Sequence, residues 1–474
     1  MPLQILAPLM PTKTLSWIPQ TLAKDQAAYL AIADAIANDI RDGRLLPNTQ
    51  LPPQRQLAQE IGLNFTTISR AYGEAQRRGL LEARVGQGTF VKADACPRLR
   101  HVPQRRKLVD MSMNHPPEPG DAKLLEMMSR GIRNATADVG SLLRYYPFGG
   151  DSDDKEAAKQ WLKLRGISVD IEKILVCPGT HSVINALLSM LLDRSGGRIC
   201  CDNITYPGFR ALAALHGVSM IGLASDHEGT LPEAFEQACR DNRPAAFYCN
   251  PSLQNPTTIT LSVVRREALA EVARRFGVPI IEDDPYSLLL DNPPPSFYSL
   301  LPEQTYYIGG LSKTVGAGLR VAYLALPSPR QLPRISAILR AVSVMVPPVS
   351  QAIATEWIFD GTATSLLNFV RDESRARQAL VAQALQGTPY QASPEGFHIW
   401  LPLPEGWSRV SFATYLRNSG IGVVTSDAFL VSGAAVEAVR ICLGGAATRD
   451  EVLSSMELVG SALSHPPAIY SAIV

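Results

Sequence analysis

Between residues 174 and 308, short β-rich runs alternate with helical stretches: Ile174 to Cys177, Arg198 to Cys201, Ala245 to Cys249, Val278 to Glu282 and Tyr306 to Ile308. Parallel strands cannot be joined by tight turns and need crossovers, most often helices, so this alternation specifies an α/β domain with a mainly parallel sheet. From about residue 360 the elements thin out, with strand candidates at Phe397 to Leu401 and Ala438 to Leu443, as expected of a smaller α+β subdomain. The whole chain has 474 residues, of which 46% are hydrophobic and 19% charged, which exceeds one ordinary core and excludes both a single small binding module and bulk disorder.

A different pattern precedes the sheet. Asp25 to Leu45 places Tyr29, Ile32, Ala33, Ile36 and Ile40 at helical spacing with Gly43 as a stop. Gln54 to Ile61 fits a short second helix, Gly62 a turn, and Thr66 to Arg77 a third helix ending at Gly79. Leu80 to Ala83 and Thr89 to Lys92 then read as two strands around Arg84-Val85-Gly86-Gln87-Gly88, a wing after a helix-turn-helix. Residues 93–107 lose all periodicity and read as a basic linker, leaving 1–24 as an N-terminal extension, 25–92 as a winged helix and 108–474 as the α/β domain.

Charge supports that division. Residues 41–107 carry a net charge of +8 although the chain as a whole carries +1. A basic module on a mildly acidic body suits a phosphate backbone, although solvated basic faces are common. The third helix, if it enters a major groove, presents Asn64, Thr66, Thr67, Ser69 and Arg70 near its N-terminus. Arg55 could reach a phosphate, and Gly86 and Gly88 leave the wing without Cβ atoms where it would meet a minor groove.

The chemistry-bearing stretch is Gly309-Gly310-Leu311-Ser312-Lys313-Thr314, which follows an apolar strand and precedes Gly316, Gly318 and Arg320. A lysine at a strand end can form an imine with a carbonyl cofactor, and a phosphorylated cofactor wants hydroxyls, N–H groups and an Arg close by. Taken alone, Ser-Lys is a surface lysine. Pro178-Gly179-Thr180-His181 adds a strand-to-helix turn of the kind that holds phosphate. Ile281-Glu282-Asp283-Asp284-Pro285-Tyr286 adds a strand-end acidic cluster, for which simply binding solvent is a plausible reading of Asp284 or Glu282 and less so of Asp283.

Two resemblances rest on these residues. Leu51-Pro52-Pro53-Gln54-Arg55-Gln56-Leu57-Ala58, Thr66-Thr67-Ile68-Ser69-Arg70-Ala71-Tyr72 and Gly86-Gln87-Gly88-Thr89-Phe90-Val91 resemble the winged helix of the GntR regulators, with Phe65 where that family usually has a DNA-contacting Arg. Residues 108–474 resemble the fold-type I aminotransferases, which bind pyridoxal 5′-phosphate. The resemblance implies that Lys313 forms the aldimine, Asp283 pairs with the pyridine nitrogen, and Tyr286 and Asn255 bond the phenolic oxygen. It further implies that Tyr206 stacks on the ring and that Gly179, Thr180, His181, Ser312 and Arg320 serve the phosphate. Arg440 stands at the position of the substrate-carboxylate arginine, and Tyr145 at that of a tyrosine given to a neighbouring subunit. Two residues depart from that pattern: Gly310 replaces a Ser or Thr phosphate ligand, and Thr258 replaces the Gly ending Asn-Pro-Thr.

The order of parts is that of the MocR subfamily. It implies a transcription regulator that binds double-stranded DNA and senses an amino compound, or the cofactor itself, through exchange at Lys313, and that assembles as a homodimer, with or without domain swapping. A working aminotransferase needs the same residues and is the alternative; a DNA-binding scaffold would have no use for them. Seven Cys without a C-x-x-C pair, with no metal-ligand spacing and no bilayer-length apolar run, suggest a reducing cytoplasm and neither zinc nor membrane.

Overall fold

The computed structural model describes residues 17–19, 27–41, 44–46, 48–84, 86–92, 108–192 and 197–464. The chain divides into two compact units, Met1–Arg106 and Lys107–Val474. Gly43 and the linker residues 93–107 lie outside the described residues.

In the smaller unit, α1 (Ala28–Arg41) buries Ile32, Ile36 and Ile40 along one stripe, as their four-residue spacing requires. α1 ends earlier than the pattern suggested, and Leu45 reaches the core from non-helical chain. α2 (Gln54–Glu60) is followed by Gly62 at φ +69, a left-handed turn that an L side chain rarely adopts. Asn64 then caps α3 (Phe65–Arg77), its Oδ1 accepting the Thr66 amide at 3.0 Å. α3 packs Ile68, Ala71, Tyr72 and Ala75 into the shared core, and the Tyr72 hydroxyl donates to the Pro52 carbonyl at 2.9 Å. β1 (Leu81–Arg84) and β2 (Gly88–Val91) form an antiparallel hairpin, one residue displaced from the expected strands. Trp17, within the expected extension, belongs to this core and donates to Asp39 at 2.6 Å.

The larger unit begins with β3 (Val109–Asp110) and is built on a seven-stranded sheet. Its strands are β4 (Ile174–Cys177), β5 (Arg198–Asp202), β6 (Ser219–Leu223), β7 (Ala246–Cys249), β8 (Ile280–Asp283), β9 (Thr305–Gly310) and β10 (Ala322–Ala325), in the order β4-β10-β9-β8-β7-β5-β6. All neighbours are parallel except β10, which runs antiparallel to both β9 and β4. The sheet is therefore mixed with a mainly parallel body. Most of its strands are buried throughout, and helices such as α4 (Thr180–Leu191) cover its faces. With β10 the one reversed strand, the ends of β4, β5, β7, β8 and β9 all open on one edge, where ligands bind in sheets of this kind.

A smaller lobe follows, with α5 (Thr362–Ala384), β11 (Gln391–Ala392), β12 (His398–Pro402), β13 (Ile421–Gly422), β14 (Val424–Thr425), β15 (Ala438–Cys442) and α6 (Arg449–Ser464). β11-β12-β15-β14 form a four-stranded sheet. β13 instead pairs in parallel with β3, so the opening residues of the unit are stitched to its last lobe. The stitch continues where the Cys442 amide donates to the Met111 carbonyl at 2.9 Å. A Cβ on Gly444 or Gly445 would fall 1.8 Å from the carbonyl oxygen of His115 or Asp110 respectively, so only glycine permits this approach. Among the described residues no helix is long and apolar enough to cross a membrane.

Candidate functional site

The loops leaving the sheet edge and the stitched segment enclose a pocket of about 540 Å³ lined by Lys313, Asp283, Tyr286, Asn255, Arg320 and Arg440 among others. Thr180, His181, Tyr206 and Ser312 line it as well. Gly179 sits behind them at φ +83, and a Cβ there would lie 3.1 Å from the Arg320 guanidinium. The bare backbone before α4 and the arginine thus share one corner, where the N–H groups opening a twelve-residue helix add partial positive charge. Gly310 borders the same corner: a Cβ on it would meet the Thr180 hydroxyl at 2.8 Å, so the threonine occupies the space a serine there would use.

Strand alternation sorts the acidic cluster. Asp283 faces the pocket, while Glu282 and Asp284, one residue either side, point to the opposite face of the sheet. The plain reading of either as a solvent-binding acid is excluded by the structure, since both side chains are fully buried. Asp284 accepts from Arg165 at 2.8 Å; burial would raise its carboxyl, but the guanidinium holds it below the ordinary carboxylate range. Glu282 accepts the Phe297 and Tyr298 amides at 3.0 and 2.9 Å, and burial raises it to about 7. Asp283, lacking such a cation, is raised to about 7 chiefly by burial, against the stabilising hydroxyl of Tyr248 at 2.8 Å.

Burial acts on the lysine in the opposite sense. The Lys313 amine falls from 10.5 to about 8, mainly through desolvation, with Arg440 and Arg320 adding repulsion. Its Nζ donates to the Asn114 carbonyl, and the Asn114 side-chain amide donates to the Tyr286 hydroxyl at 2.8 Å. Arg440, on β15, donates to Asn255 Oδ1 at 2.9 Å and to the Ser112 carbonyl, with its guanidinium 5.3 Å from the Phe429 ring centre. Among the described residues no carboxylate pairs with it, and its Nε is buried without a partner, as is Asn114 Oδ1. A buried guanidinium with no anion is costly in an isolated protein and suits one that awaits an anion. His181 Nε2 and the Tyr206 hydroxyl lie 2.8 Å apart, and Gly208 leaves room for both, since a Cβ there would crowd each ring within 2.6 Å. Desolvation lowers His181, and burial lowers the neighbouring His398 to about 3, so both imidazoles are neutral near pH 7.

Tyr145 is not in this pocket; it is 87% exposed on the surface. Asn114 and Ser112 were not singled out from the sequence, because nothing local marks a residue that meets Tyr286 and Lys313 from some two hundred positions away. Tyr248 was likewise hidden within a uniformly apolar strand.

In the winged unit, Thr66, Ser69 and Arg70 lie on the outer side of α3, with Phe65 44% exposed at its head. Asn64 is used as the cap, and Thr66 also bonds it through its hydroxyl, so both are partly engaged. Arg70 lies over the Tyr29 ring at 4.2 Å, and Arg55 is 5.8 Å from that of Phe65. Gly88 has φ +115 and abuts the Gln50 side chain, a local reason for glycine beside any role at DNA.

A winged helix-turn-helix in one unit, and in the other a mixed sheet whose edge gathers a buried lysine, a carboxylate and an arginine, with a second arginine supplied by the small lobe, define a DNA-binding transcriptional regulator with an aminotransferase-like domain. Residues 28–91 match the bacterial regulatory proteins of the gntR family, residues 106–456 match aminotransferase class I and II, and the chain belongs to the regulators that join the two, the MocR arrangement. It is 31% identical over 441 residues to the uncharacterized HTH-type transcriptional regulator YdeF of Bacillus subtilis, covering 92% of this chain and 95% of that protein. It is 28% identical over 406 residues to the vitamin B6 salvage pathway transcriptional repressor PtsJ of Salmonella typhimurium, covering 85% and 91% respectively. In fold it is similar to LysN, the alpha-aminoadipate aminotransferase of Thermus thermophilus, solved with N-(5′-phosphopyridoxyl)-L-leucine (TM-score 0.68, 20% identity, 77% of this chain and 94% of that one).

Proposed function

We propose that residues 108–474, with a small subdomain beginning near residue 360, take up pyridoxal 5′-phosphate at Lys313 and sense an amino compound that carries a carboxylate. Residues 25–92 would convey the result to double-stranded DNA through the linker at 93–107, with Arg55, Asn64, Thr66, Thr67, Ser69, Arg70 and Gly88 as the contacts. One observation carries this reading: Lys313 and Arg440 both donate to main-chain carbonyls, of Asn114 and Ser112, in the segment that directly follows the linker. A carboxylate that takes Arg440, or a reaction that engages the Lys313 amine, competes with those two bonds. The liganded and free states would thereby differ in how the segment after the linker is held, and such a difference between two states is what ligand control of DNA binding requires.

The donor set fits the cofactor. Bound there, pyridoxal 5′-phosphate would supply an aldehyde that condenses with amines and a ring that withdraws electrons. Gly179, Thr180, Ser312 and Arg320 would hold its phosphate, with His181 beside them, and Asp283 its ring nitrogen. Tyr286 and Asn255 would take the phenolic oxygen and Tyr206 the ring face. Lys313, with its amine at about 8, is neutral in roughly a tenth of molecules at pH 7, where an ordinary lysine is neutral in almost none. Exposed Tyr145 is available to a second copy, in keeping with a homodimer. The six described cysteines are buried free thiols, which suits the cytoplasm.

The test uses the full-length protein with added pyridoxal 5′-phosphate. A visible absorption band that borohydride reduces and Lys313→Ala lacks is expected. Carboxylated amines should then change operator affinity, a response lost in Arg440→Gln although the band persists. Absence of the band in the unaltered protein would overturn the reading. Repeated turnover with a 2-oxo acid acceptor would replace sensing with aminotransferase catalysis.

A further inference from the structure

A second cavity, of about 360 Å³, lies between the main sheet and the small-lobe sheet, and neither Lys313, Asp283 nor Arg320 lines it. The loop from Asn250 to Thr258 separates it from the first: Asn250 lines both, Gln254 lines only the second and Asn255 only the first. Its walls are largely apolar, with Ile204, Leu261, Trp400 and Val436 contributing. Three carboxylates, Asp202, Asp226 and Glu437, line it, and no lysine or arginine does.

Two of those carboxylates are already neutralised, Asp226 by Arg265 at 2.9 Å and Glu437 by Arg409 at 2.6 Å. Asp202, at the end of β5, has no cationic partner among the described residues and accepts only hydroxyl or amide donors, that of Thr230 among them. A carboxylate on an apolar wall without a counter-ion is a poor arrangement for an empty cleft and a good one for a cation. Burial raises the Asp202 carboxyl to about 6, so it is mostly ionised at neutral pH and more so beside a positive charge.

We propose that this cleft is a second ligand site, for a small organic cation in which an ammonium group is carried on an apolar body, with Asp202 as counter-ion and Trp400 as part of the apolar wall. Its size suits such a ligand, since small-molecule pockets begin at roughly 300 Å³. The ligand would touch both lobes. Trp400 also stands opposite Arg440 in the β12–β15 register and packs against Phe429, over which the Arg440 guanidinium lies. Occupancy therefore bears on the surroundings of the carboxylate-binding arginine, and the site stands independently of what Lys313 binds.

The test titrates benzyltrimethylammonium, which has no N–H and cannot condense with a carbonyl, into the full-length protein, followed by calorimetry and by tryptophan fluorescence. Saturable binding is expected in the unaltered protein and in Lys313→Ala, which separates this site from the first pocket. Asp202→Asn should weaken it about tenfold or more, as loss of a desolvated charge partner does. Val436→Trp, at a position 53% exposed on the rim, should block it without disturbing the fold. Phenylacetate, of similar shape and opposite charge, should not bind there. No saturable binding at millimolar ligand, equal binding of phenylacetate in Lys313→Ala, or full affinity in both Asp202→Asn and Val436→Trp would overturn the proposal.

Discussion

Replacing Lys313 with methionine should stabilise the cofactor-free protein at neutral pH while removing its reactive amine. The amine has an unfolded-state value of 10.5 and a folded value of about 8, a difference of roughly 2.5 pH units, and each unit corresponds to about 1.4 kcal/mol. Below pH 8 both states carry the proton, so the folded state bears the full cost of that buried charge, about 3 kcal/mol. Between pH 8 and 10.5 the folded lysine gives up its proton while the unfolded one keeps it, and the cost fades; above 10.5 it is gone. Methionine is of similar length and bears no charge, but it forfeits the bond to the Asn114 carbonyl, worth about 1 kcal/mol. The expected net gain is therefore about 2 kcal/mol at pH 7, shrinking towards zero and then reversing as pH approaches 10. Thermal or urea unfolding of the transition that belongs to the larger unit, run for both proteins across that pH range, measures it. A methionine variant less stable at pH 7, or a gain that does not change with pH, would show that Lys313 is not held as a desolvated amine.

Other outcomes follow from single contacts. Thr258 is buried at φ +64, where a β-branched residue is strained, so Thr258→Gly should raise the unfolding temperature, by about 1 kcal/mol of stability once glycine's extra chain entropy is offset; a loss of stability would mean that its side-chain packing outweighs the strain. Gly310→Ser should lower pyridoxal 5′-phosphate affinity by about tenfold because the new side chain meets the Thr180 hydroxyl, and adding Thr180→Ala should restore part of it; an equilibrium titration that finds the single variant unimpaired would refute the collision. Arg55→Ala should weaken operator binding across sequences and reduce the slope of log affinity against log salt by about one contact, and an unchanged slope would exclude a phosphate contact.

The residues that the sequence marked most clearly are those whose signals are local. Asn64 as a cap, Gly62 and Gly79 as turns, and the wing glycines declare themselves within a few positions, and the winged unit follows the expected elements to within a few residues. The motifs around Lys313, Asp283 and Gly179 lie at strand ends of the seven-stranded sheet, whose topology carries them to one edge, and Arg440 reaches the same pocket from the middle of β15 in the small-lobe sheet. What stayed hidden depends on pairings across long separations. Nothing around Arg165 or Arg266 announces that they neutralise the far face of β8, which is why Glu282 and Asp284 read as solvated acids. β10 is short and apolar like its neighbours, and its reversed direction is fixed by the chain's path rather than by its residues. Asn114 sits in a stretch with no periodicity, and its position follows from the glycine pair at 444 and 445.

That glycine pair has a mechanical meaning. The first residues after the linker are held by β13, by Cys442 and by the close passage of Gly444 and Gly445, so they end on the strand that carries Arg440. On the proposed reading, with two copies setting their winged helices on separated half-sites, tension passed to these residues would reach β13 first and then, through the bond between Met111 and Cys442, the strand that carries Arg440. If the pocket takes a carboxylate as proposed, the spacing of the operator and the hold on that carboxylate become two ends of one tether. An operator whose half-sites stand too far apart would be felt as a weaker grip on the ligand, and a tightly held ligand as a shorter reach on DNA.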